Sequence, residues 1–201
     1  VEERDQHLVL GVNDLSVEEW DQSFRKVYQT MIDEGLESIM VGHIALPEMS
    51  RKLRPGIKDE EIMPATLAPE LLTDLLRKQM GFNGVVITDA SHMAGIACME
   101  KREIAVPKTI ASGCDMFLFS NDAAEDFAYM MAGVQNGTIT AERLDDALHR
   151  ILGLKARLKL YKGENRIPDP GRKEEIVGCA EHLKLAEEAA ERCITLVKDT
   201  K

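Results

Sequence analysis

Two groups of side chains in this sequence stand where chemistry is possible. The first is Asp89, in "GFNGVVITDASHMAGI" (residues 81–96), where the apolar run Val85–Val86–Ile87 ends in Thr88 and a carboxylate. An aspartate at the mouth of a buried strand either caps a helix or reacts, and no amphipathic pattern starts within a turn of it. The spacing leaves both roles open. The second group is Asp5 and His7, in "ERDQH". In a loop, such a carboxylate can bond one imidazole nitrogen, fix the tautomer and leave the other nitrogen to move protons. A solvated, charged segment would show the same residues. His43 follows the strand-like "SIMVG", and Ser120, Asn121 and Asp122 follow "MFLF". Asp122, or Asn121, has the place of a helix cap. His43 fits either a ligand contact or a hydrogen-bonded rim residue.

Such groups need elements to hold them. Ser16 and Glu19 form an S-x-x-E capping box, and Val17, Trp20, Phe24, Val27, Tyr28, Met31 and Ile32 recur at helical spacing up to Gly35. "SIMVGHIAL" reads as one buried parallel strand, followed by a charged loop from Pro47 to Pro64. Leu71, Leu72, Leu75, Leu76 and Met80 predict a helix ending at Gly81, and a strand covers Val85 to Thr88. A helix after Pro107 ends near Gly113, "MFLFS" (116–120) is the next strand, and 122–136 is a helix stopped by Gly137. Thr140 caps a longer helix with Leu144, Leu148, Ile151 and Leu152 on one face.

Apolar strands alternating with helices predict a parallel α/β sheet covered on both faces, with ligands at the carboxyl ends of its strands. Three strand–helix units are present, preceded by a helix with no strand of its own. Residues 1–161 fall short of the ~250 that a closed (β/α)8 barrel takes, so they form a small open domain or part of a larger barrel. "KGENRIPDPGRK" (162–173) reads as a linker. The remainder gives a helix and then a lone strand, "ITLVK", as the start of a second domain.

Composition narrows the classes. Of 201 residues 44% are apolar, ordinary for a globular protein, and no run is long enough to span a bilayer. Aromatics at 4% and a net charge of −10 argue against nucleic-acid partners. Cys98, Cys114, Cys179 and Cys193 show no metal or disulfide spacing; free thiols favour a reducing, cytoplasmic setting. The chain opens at Val1 rather than Met, so it says nothing about a targeting leader. Met93, Met99, Met130 and Met131 read as packing, with Met93 also placed to line a pocket beside Asp89. Arg51 and Arg54 read as solvated.

At this point the motifs carry a resemblance. "PATLAPELLTDLLRKQMGFNGVVITDASHMAGI" is similar to the nucleophile segment of family 3 glycoside hydrolases, in which the catalytic Asp ends the seventh barrel strand. "ERDQH" resembles the D-x-H of the β-N-acetylglucosaminidase-like branch, whose His is the general acid/base. "VGHIALP" resembles the sixth-strand stretch, and "EHLKLAEEAAERCITLVKD" the opening of the second, sandwich-like domain. The family's Lys-His-Phe-Pro-Gly motif and its first five strands would precede Val1. His92 stands where the family commonly has an acidic or small residue.

The resemblance implies strands six to eight of a (β/α)8 TIM barrel over residues 1–161. Residues 162–201 would supply the linker, helix and first strand of an α/β sandwich domain. It implies a retaining glycosidase acting on terminal β-linked N-acetylglucosamine or related β-glycosides. Asp89 would be the nucleophile, His7 the acid/base, Asp5 its orienting partner, and His43 and Met93 sugar contacts. No cofactor or metal is implied, and the partner is a carbohydrate, with neither nucleic acid nor membrane. Within the family, β-glucosidase and phosphorolytic activities are alternatives, since a neutral His would not repel an anionic acceptor. Outside it stand a metal-dependent barrel hydrolase using Asp5, His7, His43 and Asp89, and a non-catalytic carbohydrate-binding protein. The isolated 201 residues are expected to be inactive and to self-associate through an open sheet edge.

Overall fold

Ser16 starts the first helix as its spacing predicts: its hydroxyl accepts from the Glu19 amide, and the Glu19 carboxylate returns to the Ser16 amide. In this computed structural model, which describes residues 4–163 and 169–199, the expected single helix is two, α1 (Val17–Gln22) and α2 (Phe24–Asp33). The break is at Ser23, whose hydroxyl bonds back to the Glu19 carbonyl at 2.5 Å and competes with the backbone ladder. Splitting the helix lets Trp20 turn inward, where it packs with Met49, Leu71 and Leu75.

Before α1 lies a strand that the sequence did not announce. β1 (Gly11–Val12) pairs in parallel with β3 (Ile44–Ala45), so the first helix does have a strand of its own. Two residues are too few to show alternation. The "SIMVGHIAL" segment is likewise divided, into β2 (Ser38–Val41) and β3, with Gly42 and His43 between them. β2 pairs with β4 (Val85–Ala90), and β4 with β5 (Met116–Leu118), all parallel. Because β3 continues the β2 segment, strand order in space follows strand order in sequence, without the reversal of a doubly wound sheet.

That order decides where the helices go, since right-handed crossovers that never reverse put every helix on the same face. Val41 and Val86 point to that face. They pack with Leu72 of the helical segment Glu70–Gln79, with Ile110 of α5 (Arg102–Ser112), and with Met130 of α6 (Ala123–Gln135) and Leu144 of α7 (Ala141–Arg157). The opposite face carries the register row Met40, Ile87 and Met116, with Met40 55% and Met116 39% exposed. The sheet is therefore covered on one face among the described residues, not on both. Asp89 follows Ile87 by two residues near the end of β4 and is partly exposed.

Other details differ in instructive ways. Glu70–Gln79 is wound as a π-helix, its end marked by the Met80 amide bonding the Leu75 carbonyl. α5 begins at Arg102 and contains Pro107, which the sequence placed ahead of the helix. α3 (Pro47–Leu53) and the short α4 (Ala94–Ala97) were not anticipated. Asp122 caps α6 through the Ala124 and Glu125 amides, and Thr140 caps α7 through the Arg143 amide.

The chain divides into two compact units, Val1–Arg157 and Leu158–Lys201. The second holds α8 (Lys173–Ile176) and α9 (Ala180–Cys193). Ile194–Lys198, expected as a strand, pairs with no strand among the described residues; a ladder needs a neighbour. Part of the expected linker, residues 164–168, lies outside the described residues. No helix of the described residues is long and apolar enough to cross a membrane.

β4 starts beside a buried carboxylate. The Asp115 side chain is fully buried; Oδ2 accepts from the Val86 amide at 2.9 Å and Arg77 at 2.6 Å, and Oδ1 accepts from Arg143 and Arg150. The Asp115 amide in turn donates to the Val86 carbonyl at 2.7 Å. Removing one member of a buried ion network strands the others, typically at ~3–5 kcal/mol. Asp115→Ala should lower stability to urea by about that amount, while Asp74→Ala, at an exposed pair with Lys78, should change it by less than about 0.5 kcal/mol. Equal midpoints for the two variants would remove Asp115 from the structural role assigned to it.

Candidate active site

β4 delivers Asp89 to the carboxyl end of the sheet through a local irregularity. The register to β5 shifts between Ile87 and Ala90. There the buried Thr88 hydroxyl substitutes for the ladder, accepting from the Leu118 amide at 2.9 Å and donating to the Leu118 carbonyl at 3.1 Å. The irregularity leaves Asp89 partly exposed, with Oδ1 accepting from the Ala90 amide at 2.7 Å. A β-bulge that re-aims a side chain is a usual device beside reactive groups.

The loop after Asp89 is tied down on both sides. Ser91 donates to the Phe119 carbonyl at 2.5 Å and accepts from Arg102 at 3.1 Å. Arg102 also forks onto Asp126, through Nε at 2.7 Å and Nη2 at 2.6 Å. Asp126 further accepts from Ser120 and the Asn121 amide, so one carboxylate joins the loops after β4 and β5. His92 is exposed and stacks with Phe119 at 6.2 Å between ring centres. Beside it is a cavity lined by Ser91, His92, Glu100, Arg102, Phe117 and Asn121.

Asp5 and His7 form the pair that their spacing predicts. Asp5 Oδ1 accepts from the His7 amide at 2.9 Å and lies 2.8 Å from Nδ1, leaving Nε2 outward on a side chain 73% exposed. The His7 amide, then its imidazole, hold the Asp5 carboxyl below its ordinary value. The His7 carbonyl accepts from the Ala94 amide at 3.1 Å. The loop carrying the dyad is thereby fastened to the segment that follows Asp89, although the two are far apart in sequence.

His43 and Met93, expected as sugar contacts, are both buried. His43 is 2% exposed, and both ring nitrogens are engaged, Nδ1 with Thr66 Oγ1 at 2.8 Å and Nε2 with the Ala90 carbonyl at 3.0 Å. Burial pushes its pKa down, while the Ala90 carbonyl and the charge of Asp89 pull the other way. Met93 is buried where α4 starts. Among the described residues no three His, Cys, Asp or Glu side chains converge as a metal site, so Asp5, His7, His43 and Asp89 do not form one ligand set. Arg51 pairs with Glu48 and Asp59, and Arg54 with Glu61. Burial raises the Cys114 thiol to about 12, which makes it a core residue and not a nucleophile.

The residues that sequence reasoning missed are Thr66, Arg102 and Asp126. Arg102 and Asp126 lie 24 positions apart, and no local spacing signals such a pair. Thr66 sits inside the quoted "PATLAP", yet its burial became visible only with the fold.

Residues 2–154 match the model of the glycosyl hydrolase family 3 N-terminal domain. The chain belongs to that family. A β-N-acetylglucosaminidase/β-glucosidase of Cellulomonas fimi is 52% identical over 199 residues, covering 99% of this chain and 35% of the relative. Among solved structures, the beta-glucoside phosphorylase BglX bound to 2FGlc superposes with a TM-score of 0.95 at 42% identity, over 100% of this chain and 36% of that one. A family 3 β-N-acetylglucosaminidase from Paenibacillus sp. str. FPU-7 gives a TM-score of 0.83 at 25% identity, with the same coverage. The family 3 chain thus spans about a third of the length of these relatives.

Burial pushes the Asp126 carboxyl up, but its bonds from Arg102, Ser120 and Asn121 outweigh this and leave it below its ordinary value. A carboxyl held low stabilises the fold above pH ~4, and that contribution is lost as pH falls through the folded value. Arg102→Gln should therefore lower the melting temperature at pH 7 more than in acid below the folded value of Asp126, where the charge pair is lost from the wild-type protein as well. Melting curves displaced equally at both pH values would show that the charge pair contributes nothing beyond packing.

Proposed function

We propose that this chain supplies the nucleophile and the acid/base of a retaining β-glycosidase acting on terminal β-linked N-acetylglucosamine or glucose. One observation carries the reading. Asp89 lies partly exposed at the carboxyl end of β4, and the Asp5–His7 loop is bonded through the His7 carbonyl to Ala94, close behind it. Ligands of parallel α/β folds gather at this end of the strands. The names of the relatives in family 3 supply the substrate class.

In this reading, β2 with β3, β4 and β5 are strands six, seven and eight of a (β/α)8 barrel, and β1 is the end of the fifth. Residues 162–201 open the second domain. Asp89 attacks the anomeric carbon, the bond to the leaving oxygen breaks, and Nε2 of His7 gives that oxygen its proton. Asp5 holds Nδ1 and so keeps His7 in one orientation. The neutral imidazole then takes a proton from the acceptor as it displaces Asp89, and two inversions retain configuration. His43 is committed to protein groups and takes no part in binding the sugar.

A second reading concerns the acceptor. The 42–43% identical BglX structures are of a beta-glucoside phosphorylase, and an imidazole, unlike a second carboxylate, adds no negative charge facing phosphate. Product analysis separates the readings. Turnover of an aryl β-glycoside by the full-length protein in phosphate should give either the free sugar or its α-configured or β-configured 1-phosphate, the retained anomer being the one expected.

Asp89→Asn should abolish turnover with the fold intact, because the amide keeps the shape but cannot form the covalent intermediate; losses of several orders of magnitude are usual. Near-normal kcat in the pure variant would remove Asp89 from the mechanism. His7→Ala should spare dinitrophenyl glycosides, whose leaving group needs no proton, and slow poor leaving groups by ~10²–10⁴-fold. Asp5→Ala should show a milder version. For the isolated 201 residues, the open face with Met40 and Met116 and the missing share of the relatives' length point to self-association without turnover. Light scattering and an aryl-glycoside assay test this; a monomer with sustained turnover would contradict it.

A further inference from the structure

We infer that His43 is a positioning residue for the nucleophile, acting through the Ala90 carbonyl. The inference rests on the assignment of Asp89 as nucleophile and adds a residue that never touches the sugar. β2 and β4 pair up to Val41 and Thr88, and there the backbone ladder between them stops. The next residue on that side of the segment, His43, continues the connection with its side chain, which reaches Ala90 at 3.0 Å. A carbonyl oxygen only accepts, so Nε2 carries the proton. Nδ1 is then an acceptor and takes the hydroxyl proton of Thr66, itself fully buried, at 2.8 Å. Two partners thus fix one tautomer and one ring orientation, and burial favours the neutral ring.

The peptide groups on either side of Ala90 form the link to the nucleophile. The Ala90 carbonyl takes two donors, His43 Nε2 and the Met93 amide at 3.1 Å. The Ala90 amide donates to Asp89 Oδ1 at 2.7 Å. Rotation of this residue would move the amide donor that orients the Asp89 carboxylate. Packing closes the arrangement from behind. At Gly95 an added Cβ would fall 2.7 Å from the His43 carbonyl oxygen and 2.8 Å from its Cβ, so α4 can sit against His43 only because Gly95 lacks a side chain.

Two substitutions in the full-length protein separate the two bonds of the ring. His43→Asn keeps an acceptor near Nδ1 for Thr66 and loses the donor to Ala90. His43→Gln keeps an amide donor near Nε2 and loses the acceptor. The readout is the rate at which a 2,4-dinitrophenyl 2-deoxy-2-fluoro-β-glucoside traps the covalent intermediate, alongside kcat, KM and the melting temperature. His43→Asn should slow trapping and kcat by ~10–10²-fold, the scale of a misplaced reacting group, with KM nearly unchanged. His43→Gln should restore most of the rate at a similar melting temperature. Thr66→Val leaves the tautomer set by Ala90 but takes the donor from Nδ1 and loosens the ring's orientation, and should give a smaller loss of the same kind.

Equal losses in His43→Asn and His43→Gln that track their melting temperatures would overturn the inference, as would a loss confined to KM. If His43→Asn fails to fold, an unchanged trapping rate in Thr66→Val overturns it equally. Peptide mapping of the trapped wild-type protein keeps the two levels apart. Label on a residue other than Asp89 defeats the nucleophile assignment itself, whereas label on Asp89 with wild-type trapping in His43→Asn defeats only the role of His43.

Discussion

Burying the Asp115 carboxylate creates an obligation that organises this domain. A charge with no exposed surface must be met by donors, and four donors come from three elements: the Val86 amide of β4, Arg77 of the π-helical segment, and Arg143 and Arg150 of α7. Satisfying that one group therefore fixes the start of β4 against two helices that lie far apart in sequence. Arg77 extends the same node by donating to the Phe82 and Gly84 carbonyls. Burial pushes the Arg77 guanidinium below its ordinary pKa, with Asp115 acting in the opposite direction. Such a network repays its desolvation only when nearly every member is bonded, and that requirement favours a single arrangement over many.

The other end of β4 is governed by side chains that replace missing backbone ladders. Thr88 spans the irregularity to β5, Ser91 caps the Phe119 carbonyl, and His43 reaches Ala90 where β2 gives way to β3. Each is polar, buried and bonded, the condition under which a polar core group adds order. Between the clamped start and the bonded end, β4 has little freedom to slide or twist. A strand so held can present Asp89 at a defined angle, which is what its proposed role as nucleophile requires. The chemistry proposed at Asp89 would then depend on a scaffold whose decisive contacts lie behind that side chain.

Much of this was legible in the residues themselves. The capping box at Ser16 and Glu19, the caps at Asp122 and Thr140, and the strand at Val85 are local signals, set by backbone groups within four residues or by continuous apolarity. The Asp5–His7 pair is legible for the same reason, because a side chain two residues from an imidazole can reach it without help from the fold. Where local signals misled, a neighbouring contact had intervened. Ser23 interrupted a periodic helix by bonding back to Glu19.

The sequence by itself determined the α/β class, the position of Asp89 at the end of an apolar strand, and the motifs that resemble family 3. Those properties are written in short windows, where propensity and spacing act without distant partners. Only the tertiary structure decided that the helices cover one face and leave the other open, because the face depends on strand order. Only it assigned His43 to Thr66 and Ala90 and joined Arg102 to Asp126. A ring nitrogen or a guanidinium takes whichever partner the packing brings within about 3 Å, and residues separated by twenty or more positions meet only once the sheet has set its register.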